Sequence, residues 1–418
     1  MTRNPVWTKD MVREIQRKAE TGAYVVRGFG SNIPYPSLDE ILIVPAQLHG
    51  PPAVDKYREE VRTQVVIGPD LPRPLVLEAP VHIAAMSFGA IGPNGKTALA
   101  YGAARMGIAT NTGEGGMLPS EKEACRRYGD GKIIVQWSTG RFGVSADYLR
   151  AADAVEIKLG QGAKPGMGGH LMAEKVTEEV ARIRGIPLGT DALSPCRHLD
   201  MDGLHDLANH VKLIREVTDY QVPVLIKLGP ADVYEDVKQA VEAGADAVVI
   251  DGGEGGTGAS PEVASDHAGV PTLGLFRPAL RAFEDTRARE RGIKLIILGG
   301  IRHGADVVKA LALGADAVGV ATGAMIAMGC TACELCHTGT CPKGIATQDP
   351  ARQVDVEEAG ERVYNYLKAM NEEIKILTAL SGHNDIAALG PDDLVATTVR
   401  ASAVTGLKLI GLDRPVAL

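Results

Sequence analysis

The chain has 418 residues and a net charge of −8 at pH 7, a length that suits two or three domains or one large α/β barrel with extensions. Its 45% hydrophobic and 23% charged residues exclude a disordered or fibrous protein. The acidic balance and the lack of a long basic run exclude nucleic acid and anionic lipid as partners.

The sequence carries no targeting or membrane signal. Its start, Met-Thr-Arg-Asn-Pro-Val-Trp, lacks the apolar core of a signal peptide. Its apolar runs are short and broken by glycine, well under the ~20 residues of a membrane-spanning helix. We therefore expect a cytoplasmic protein without membrane contact.

The elements predicted in chain order divide the chain into three segments. Residues 1–80 are rich in proline and predict an N-terminal cap, whereas 326–418 hold a cysteine cluster and a helical tail from Val354 to Leu380. Between them, in 81–325, short apolar runs alternate with amphipathic helical stretches, which is the α/β pattern. The runs begin near Val81, Ile108, Ile133, Ala154, Pro223, Ala247, Lys294 and Ala317.

Eight strand-and-helix units predict a (β/α)8 barrel, or TIM barrel, over residues 81–325. The apolar strand interiors suit parallel strands that are covered on both faces. A doubly wound open sheet is the alternative, because periodicity does not show whether a sheet closes. Both architectures place chemistry at the carboxyl ends of the strands. The connections after the fourth and sixth strands are too long for simple crossovers, which is typical of functional loops.

Two glycine-rich loops follow the seventh and eighth strands. They read Leu-Gly-Gly-Ile-Arg-His-Gly (298 to 304) and Gly-Val-Ala-Thr-Gly-Ala (319 to 324). In barrels these loops often bind phosphate through bare backbone N–H groups. We expect FMN or a phosphorylated substrate here, with its phosphate on Gly299, Gly300, Thr322 and Gly323; the alternative is that the glycines only end the strands.

Four other strand-end loops are also rich in glycine, which lets a flat ring and a small substrate lie against the backbone. They span residues 86 to 92, 111 to 116, 161 to 170 and 251 to 260. Polar side chains in these loops or at neighbouring strand ends are expected to point into the barrel mouth: Ser87, Asn111, Glu114, Gln136, Lys158 and Lys227.

The cysteine cluster reads Gly-Cys-Thr-Ala-Cys-Glu-Leu-Cys-His-Thr-Gly-Thr-Cys-Pro (329 to 342). Its C-x2-C-x2-C-x4-C-P spacing differs by one residue from the bacterial ferredoxin run, which indicates an iron–sulfur cluster. Structural zinc is the alternative, although four-thiolate zinc sites usually pair two separated C-x2-C halves. Flavin and a cluster in one chain imply that electrons enter singly and leave as a pair.

Taken in order, these strings resemble the synthase domain of glutamate synthase, an FMN barrel with an iron–sulfur cluster, over about residues 75 to 350. Further matching strings include Ser-Thr-Gly-Arg-Phe-Gly-Val, Glu-Ile-Lys-Leu-Gly-Gln-Gly-Ala-Lys-Pro-Gly and Cys-His-Thr-Gly-Thr-Cys-Pro-Lys-Gly-Ile-Ala-Thr-Gln-Asp-Pro. The resemblance implies that reduced flavin passes a hydride to 2-iminoglutarate, formed from 2-oxoglutarate and ammonia, and so produces L-glutamate.

The resemblance also implies that Lys227 faces flavin and substrate. From its place at the end of an apolar strand we expect Lys227 to hold the substrate carboxylate, and Glu114 in the glycine-rich second loop is the candidate proton source. The expected cofactor contacts are Met86, Ser87, Gln136, Lys227, Gly255 and Gly256, and the expected substrate contacts are Lys158, Gln161 and Lys164. A [3Fe-4S] cluster is implied on Cys330, Cys336 and Cys341, and it becomes [4Fe-4S] if Cys333 also ligates.

The sequence departs from the family in two ways. Met167 stands where the family loop Lys-Pro-Gly-Glu-Gly-Gly has a glutamate, so a carboxylate near the substrate is missing. The full-length bacterial enzyme also has a glutaminase domain with an N-terminal Cys nucleophile and a final glycine-rich β-helix, whereas position 2 here is Thr and the last residue is Leu418. We expect ammonia from solution or from glutaminase-like and β-helix partner subunits, and electrons from ferredoxin or an NAD(P)H-dependent flavoprotein.

Three functions remain open at this point. The first is an FMN and iron–sulfur oxidoreductase of the glutamate synthase type. The second is the synthase subunit of a complex that forms N-methylglutamate from methylamine. The third is a subunit that keeps flavin and cluster for electron transfer but binds no substrate.

Overall fold

The computed structural model describes residues 6–48, 50–412 and 414–416. Residues 1–5 and 49 of the predicted N-terminal cap, and residues 413, 417 and 418 of the predicted tail, lie outside the described residues. Within the described ranges, no helix is long and apolar enough to cross a membrane.

Eight parallel strands form a closed barrel at the centre of the molecule. In chain order these barrel strands are β1 (Val81–Ile83), β2 (Ala109–Asn111), β3 (Lys132–Trp137), β4 (Ala154–Lys158), β5 (Val224–Leu228), β6 (Ala247–Asp251), β7 (Lys294–Leu298) and β8 (Ala317–Val320). Each strand pairs with the next, and β8 pairs with β1. The TIM barrel is confirmed, and the open-sheet alternative is wrong because no edge strand remains.

The strands form where the sequence places them, within one residue of each predicted start. All five side chains of β5, Val-Leu-Ile-Lys-Leu, are buried. Alternate residues fill the barrel interior and the others pack under the helices, so a strand of this kind is apolar on both faces.

Helices surround the barrel. They are α1 (Lys9–Thr21), α2 (Pro93–Met106), α3 (Pro119–Arg127), α4 (Ala146–Arg150), α5 (Glu178–Arg184), α6 (Leu204–Val217), α7 (Val233–Glu242), α8 (Glu262–His267), α9 (Phe276–Asp285), α10 (Gly304–Ala312), α11 (Thr322–Ala327), α12 (Val356–Leu380) and α13 (Val399–Thr405). Short antiparallel pairs join Val26–Arg27 to Ser260–Pro261, Ile41–Ile43 to Leu394–Ala396, Val65–Ile67 to Leu75–Leu77 and His170–Leu171 to Ala192–Leu193.

Helix α12 closes the outer ring, because it packs against both α2 and α10. The approach to α2 is close: a Cβ added to Gly102 would overlap the side chain of Val363. The predicted third segment therefore supplies part of the barrel wall, and its strand Leu394–Ala396 pairs with the first segment. The boundaries 1–80, 81–325 and 326–418 remain a proposed division of the chain.

The N-terminal arm, residues 26–32, crosses the carboxyl end of the barrel. Its Gly28 N–H donates to Glu334 O at 3.2 Å, and its Phe29 N–H donates to Thr257 O at 2.9 Å. Arg27 is buried and pairs with Glu262 and Asp266. The arm is thereby fixed over the loop after β6 and against the cysteine-rich loop.

Candidate functional site

Two adjoining cavities open at the carboxyl ends of the barrel strands. The large cavity, about 780 Å³, is bounded mainly by the loops after β6, β7 and β8, the N-terminal arm and α12. The small cavity, about 130 Å³, is bounded mainly by the loops after β1, β2 and β4 and by the cysteine-rich loop. Both are lined by Ala85, Gly256, Ala321 and Thr322, so ligands in the two cavities would lie next to each other.

The large cavity contains the glycine-rich loops that the sequence assigned to phosphate. Gly255, Gly256, Gly299, Gly300, Thr322 and Gly323 all line it. Gly300 has a φ of 72°, a left-handed conformation that glycine adopts without strain. No side chain caps α11, which begins at Thr322, so its first N–H groups are left for another acceptor. Backbone donors and a tight turn therefore meet at this end of the cavity.

Helix α12 adds three residues to the large cavity that the sequence reasoning missed: Arg362, Asn365 and Tyr366. The Tyr366 hydroxyl donates to Arg302 O at 2.6 Å. The Arg302 side chain also borders the cavity, but its guanidinium is bound by Asp39 and Asp306. Among the described residues Arg362 pairs with one carboxylate, that of Glu358, whereas Arg302 pairs with two. The sequence predicted a helical tail from Val354 to Leu380 but gave no signal that it faces the site.

Lys227 lies at the end of β5 and lines the large cavity. Its Nζ is 3.3 Å from Asp251 Oδ2, and both side chains are buried. Burial alone would lower the pKa of Lys227, but the carboxylates of Asp251, Glu156 and Glu114 outweigh it and raise that pKa. Lys227 is therefore a stable cation paired with Asp251, and its expected role in holding the substrate carboxylate stays a prediction.

A buried amide network lies beside Lys227 in the barrel. Gln136 Nε2 and Asn111 Nδ2 both donate to Glu156 Oε1, at 2.6 and 3.0 Å. Gln136 Oε1 is buried and accepts no hydrogen bond from any described residue. Because buried polar atoms are nearly always paired, this oxygen is available to accept a further hydrogen bond.

Glu114 lines the small cavity as a carboxylate. Its Oε2 accepts from Lys158 Nζ at 2.9 Å, and its N–H donates to Ser87 Oγ at 3.1 Å. Burial would raise the pKa of Glu114, but attraction to Lys158 outweighs it and holds that pKa below the usual value. Glu114 is thus ionised at neutral pH, a state that does not suit the expected role of proton source. Gly169 permits this position, because a Cβ there would overlap Glu114 Oε1.

The small cavity holds an excess of buried positive charge. Its lining includes Lys164, Lys175 and Arg184, whereas Glu114 is its one carboxylate among the described residues. These cations donate to backbone carbonyls and not to carboxylates. Burial accordingly lowers the pKa of Lys164 to about 8, that of Lys175 to about 8 and that of Arg184 to about 10. Three buried cations therefore face a single carboxylate, which already pairs with Lys158.

The remaining predicted substrate and cofactor residues divide between the small cavity and its border. Met86, Ser87 and Gln161 line it, while Lys158 lies behind Glu114 and also donates to Gln161 Oε1 at 2.9 Å. Met167 lies outside the lining of both cavities.

Sequence reasoning missed His170, Lys175 and Arg184, which also line the small cavity. They lie in the long connection after β4. The length of that connection indicated function, but single basic residues in it carried no further signal.

The cysteine-rich loop borders both cavities through Cys336 and Glu334. Cys341 is buried, Cys330 and Cys336 are half-buried and Cys333 is exposed, all as free thiols. Burial, followed by the neighbouring Cys330 and Cys341, raises the pKa of Cys336 to about 11. In the described part of the chain, no three His, Cys, Asp or Glu side chains are set to hold a single metal ion. In a cluster each thiolate binds its own iron, so the sulfurs need not converge on one point.

The chain matches known proteins over most of its length. The family model described as a conserved region in glutamate synthase matches residues 39–384. A glutamate synthase large subunit-like protein of Rhizobium meliloti is 40% identical over 417 residues, covering 95% of this chain and 93% of that protein. An archaeal-type glutamate synthase [NADPH] of Thermotoga maritima is 42% identical over 409 residues, covering 92% of this chain and 79% of that protein.

Solved structures share the fold at low identity. A flavocytochrome b2 variant with pyruvate bound aligns with a TM-score of 0.58 at 18% identity, covering 88% of this chain and 80% of that one. A mandelate oxidase variant with an FMN adduct aligns with a TM-score of 0.52 at 20% identity, covering 84% and 87%. Both likenesses support the barrel architecture.

Proposed function

The chain belongs to the glutamate synthase family, and from this membership we propose that it is an FMN-dependent oxidoreductase that reductively aminates 2-oxoglutarate to L-glutamate. The observation that carries the proposal is the uncompensated positive charge of Lys164, Lys175 and Arg184 around the small cavity. At neutral pH 2-oxoglutarate carries two carboxylates, and it is small.

A dianion is the ligand class that this cavity favours. Buried cations without an anion are costly, and charge-assisted hydrogen bonds to carboxylates recover that cost. A monocarboxylate would leave more of the positive charge uncompensated than a dicarboxylate. A volume of about 130 Å³ suits a molecule of a few carbon atoms and excludes a nucleotide. The presence of all three cations also argues against the third function, a subunit that transfers electrons but binds no substrate.

The large cavity is the proposed site of FMN. Gly299, Gly300, Thr322 and Gly323 would hold the phosphate through their backbone, with Arg362 nearby. Gln136 Oε1, for which the described residues supply no donor, would accept a hydrogen bond from the flavin ring. Bound FMN would supply the hydride for the imine carbon.

Lys164 is the proposed proton source, in place of Glu114. Its Nζ is buried beside the small cavity, and its pKa of about 8 lets it hold a proton at neutral pH and release it to a stronger base. As the imine carbon gains a hydride, the nitrogen gains negative charge, and a proton from Lys164 Nζ would complete the amine. Glu114 and Lys158, paired with each other, would keep the adjoining wall neutral.

Electrons are proposed to enter through an iron–sulfur cluster on the cysteine-rich loop. Thiolate ligands suit iron–sulfur chemistry, and Cys330, Cys336 and Cys341 are closer to the core than the exposed Cys333. Cys333 is the conditional fourth ligand. Relatives named with NADPH support NADPH as the source, through a ferredoxin or flavoprotein partner in the cytoplasm. Glutaminase-like and β-helix partners, and methylamine in place of ammonia, remain alternatives for the amine source.

Binding measurements test the substrate class. By calorimetry we expect 2-oxoglutarate to bind at least about tenfold more tightly than 2-oxobutyrate, a difference of about 1.4 kcal/mol. Arg184→Met should abolish that preference. Arg182→Met, on the exposed side of the same helix with 65% of its side chain accessible, is the matched control and should keep it. Equal affinities for the two oxo acids in the wild-type protein would overturn the assignment.

A further inference from the structure

A buried ion pair lies behind the loops of the small cavity without lining either cavity. Lys96 of α2 and Glu121 of α3 have side chains that are 0% exposed, with Lys96 Nζ 3.0 Å from Glu121 Oε1. Nothing in the proposed reaction uses this pair. A fully buried ammonium therefore needs a separate explanation.

The three N–H bonds of the Lys96 ammonium are all taken by loop carbonyls. Lys96 Nζ donates to Met86 O at 2.6 Å, to Asn111 O at 3.0 Å and to Thr112 O at 3.3 Å. Glu121 Oε1 accepts no hydrogen bond within the described part of the chain and acts as the counter-charge of Lys96. The other carboxylate oxygen, Glu121 Oε2, accepts from the Leu118 N–H at 3.0 Å.

These carbonyls belong to the loops after β1 and β2, which carry Ser87 and Glu114 into the small cavity. A peptide unit is planar and trans, so a Met86 carbonyl held towards Lys96 turns the N–H of Ser87 the opposite way. That N–H finds no acceptor within the ranges that the structure describes. Ser87 Oγ in turn accepts from the Glu114 N–H, so the two loops are linked on the cavity side as well.

From this geometry we propose that Lys96 is a positioning residue: its ammonium, neutralised by Glu121, fixes the β1 and β2 loops so that the Ser87 N–H is presented to the ligand. An effect of Lys96 on kcat rests on the proposed function, whereas the positioning of the two loops does not. Stability alone does not explain the pair, because buried ion pairs are often replaceable by apolar side chains at no loss. An apolar side chain could not, however, donate to three carbonyls at once.

The test compares two double variants. Lys96→Met/Glu121→Gln removes both charges together, because a single change would leave a buried uncompensated charge. Arg215→Met/Asp246→Asn is the matched control at the amino ends of the strands. There Arg215 donates to Gly244 O and Asp246, and Asp246 accepts from Val224 N–H.

Hydrogen exchange followed by mass spectrometry is the primary readout, since it requires neither flavin nor turnover. We expect peptides covering 84–90 and 109–116 to exchange about tenfold faster in Lys96→Met/Glu121→Gln than in wild type, with the rest of the barrel unchanged. The control should leave both peptides at wild-type rates. In flavin-loaded protein, kcat should fall about tenfold or more in the Lys96 variant and stay unchanged in the control.

The outcomes separate this inference from the proposed function. Wild-type exchange in both loops of the Lys96 variant, or faster exchange spread evenly over the barrel, would overturn the positioning role. Faster exchange confined to the loops supports it even if the wild-type protein proves to make no glutamate. In that case the proposed function fails and the inference stands. If the enzyme is active and the Lys96 variant shows faster loop exchange but an unchanged kcat, the link between loop positioning and catalysis is contradicted.

Discussion

Burial and the available partners together set the pKa values of single residues in the small cavity. Lys164 and Glu114 are both buried there, yet Glu114 pairs with Lys158, whereas the partner of Lys164 Nζ among the described residues is a backbone carbonyl. Burial lowers the pKa of Lys164, and Lys158 lowers the pKa of Glu114. Neither cause is visible in the residues next to them in the sequence. Both residues were singled out from the sequence, but the proton-source role assigned to Glu114 does not suit its ionised state.

The lysines of the small cavity predict a pH dependence for substrate binding. Lys164 and Lys175 have pKa values of about 8 in the free protein, and a bound dianion would raise both. They are protonated below pH 8, so 2-oxoglutarate affinity should be constant there and fall as pH rises above it. The fall should approach tenfold per pH unit for each lysine involved.

Calorimetric titrations between pH 6.5 and 9.5 measure this dependence. Lys164→Arg keeps the positive charge to much higher pH and should flatten the decline while leaving affinity at pH 7 close to wild type. The same variant should lose catalytic rate, because arginine does not release a proton in this range. Affinity that is level across the whole range in the wild-type protein would contradict the account.

Gly300 predicts where the cofactor phosphate lies. Gly300→Asp adds a side chain and a negative charge to the proposed phosphate site, and flavin content should fall by at least about tenfold. Gly292→Asp is the matched control, since Gly292 has nearly the same φ, 73°, but nothing within 4 Å of an added Cβ. Flavin absorbance per protein would be measured for both. Full flavin content in the Gly300 variant would refute the placement.

At the scale of elements, the sequence revealed the barrel strands better than the helix that completes the ring. Strand interiors buried on both faces leave a continuous apolar run that is visible locally. The sequence predicted that the tail is helical, but only tertiary structure shows that α12 packs against α2 and α10. Arg362 and Tyr366 became site residues for that reason alone.

The contact between α2 and α12 predicts that replacing Gly102 by alanine lowers stability, although helix propensity alone would raise it. Alanine favours a helix over glycine by up to about 1 kcal/mol, yet a Cβ at Gly102 would overlap Val363. Gly102→Ala should therefore destabilise the protein by about 1 to 3 kcal/mol, the usual cost of overpacking. Denaturant unfolding compares it with Gly203→Ala, where an added Cβ meets nothing within 4 Å. A stabilised Gly102 variant would show that the helices have room.

The cysteine-rich loop predicts a graded loss of iron. Cys336→Ser should remove most of the bound iron, because Cys336 is half-buried beside the small cavity and would ligate one iron directly. Cys333→Ser should keep the iron if three thiolates suffice. Cys196→Ser, an exposed thiol outside the loop, is the control. Stoichiometric zinc with no iron in wild-type protein would refute the redox interpretation.

At the scale of the whole molecule, distant segments converge on one end of the barrel. The N-terminal arm, the cysteine-rich loop and α12 all reach the large cavity, which shares residues with the small one. The sequence indicated the fold, the family and most of the glycine loops because each depends on local motifs. It did not reveal Lys175, Arg184 or the Lys96–Glu121 pair, because their roles arise from burial and from contacts between separate loops.

The central claim is that this arrangement forms L-glutamate from 2-oxoglutarate. Its most direct test is an anaerobic reaction of the flavin-loaded protein with reduced methyl viologen, 2-oxoglutarate and ¹⁵N-labelled ammonia, with mass spectrometry of the product. The account predicts ¹⁵N-labelled L-glutamate in amounts that exceed the enzyme, and N-methylglutamate only when methylamine replaces ammonia. The central claim would be contradicted if the flavin is bound and reduced and the protein binds 2-oxoglutarate, yet no labelled glutamate forms.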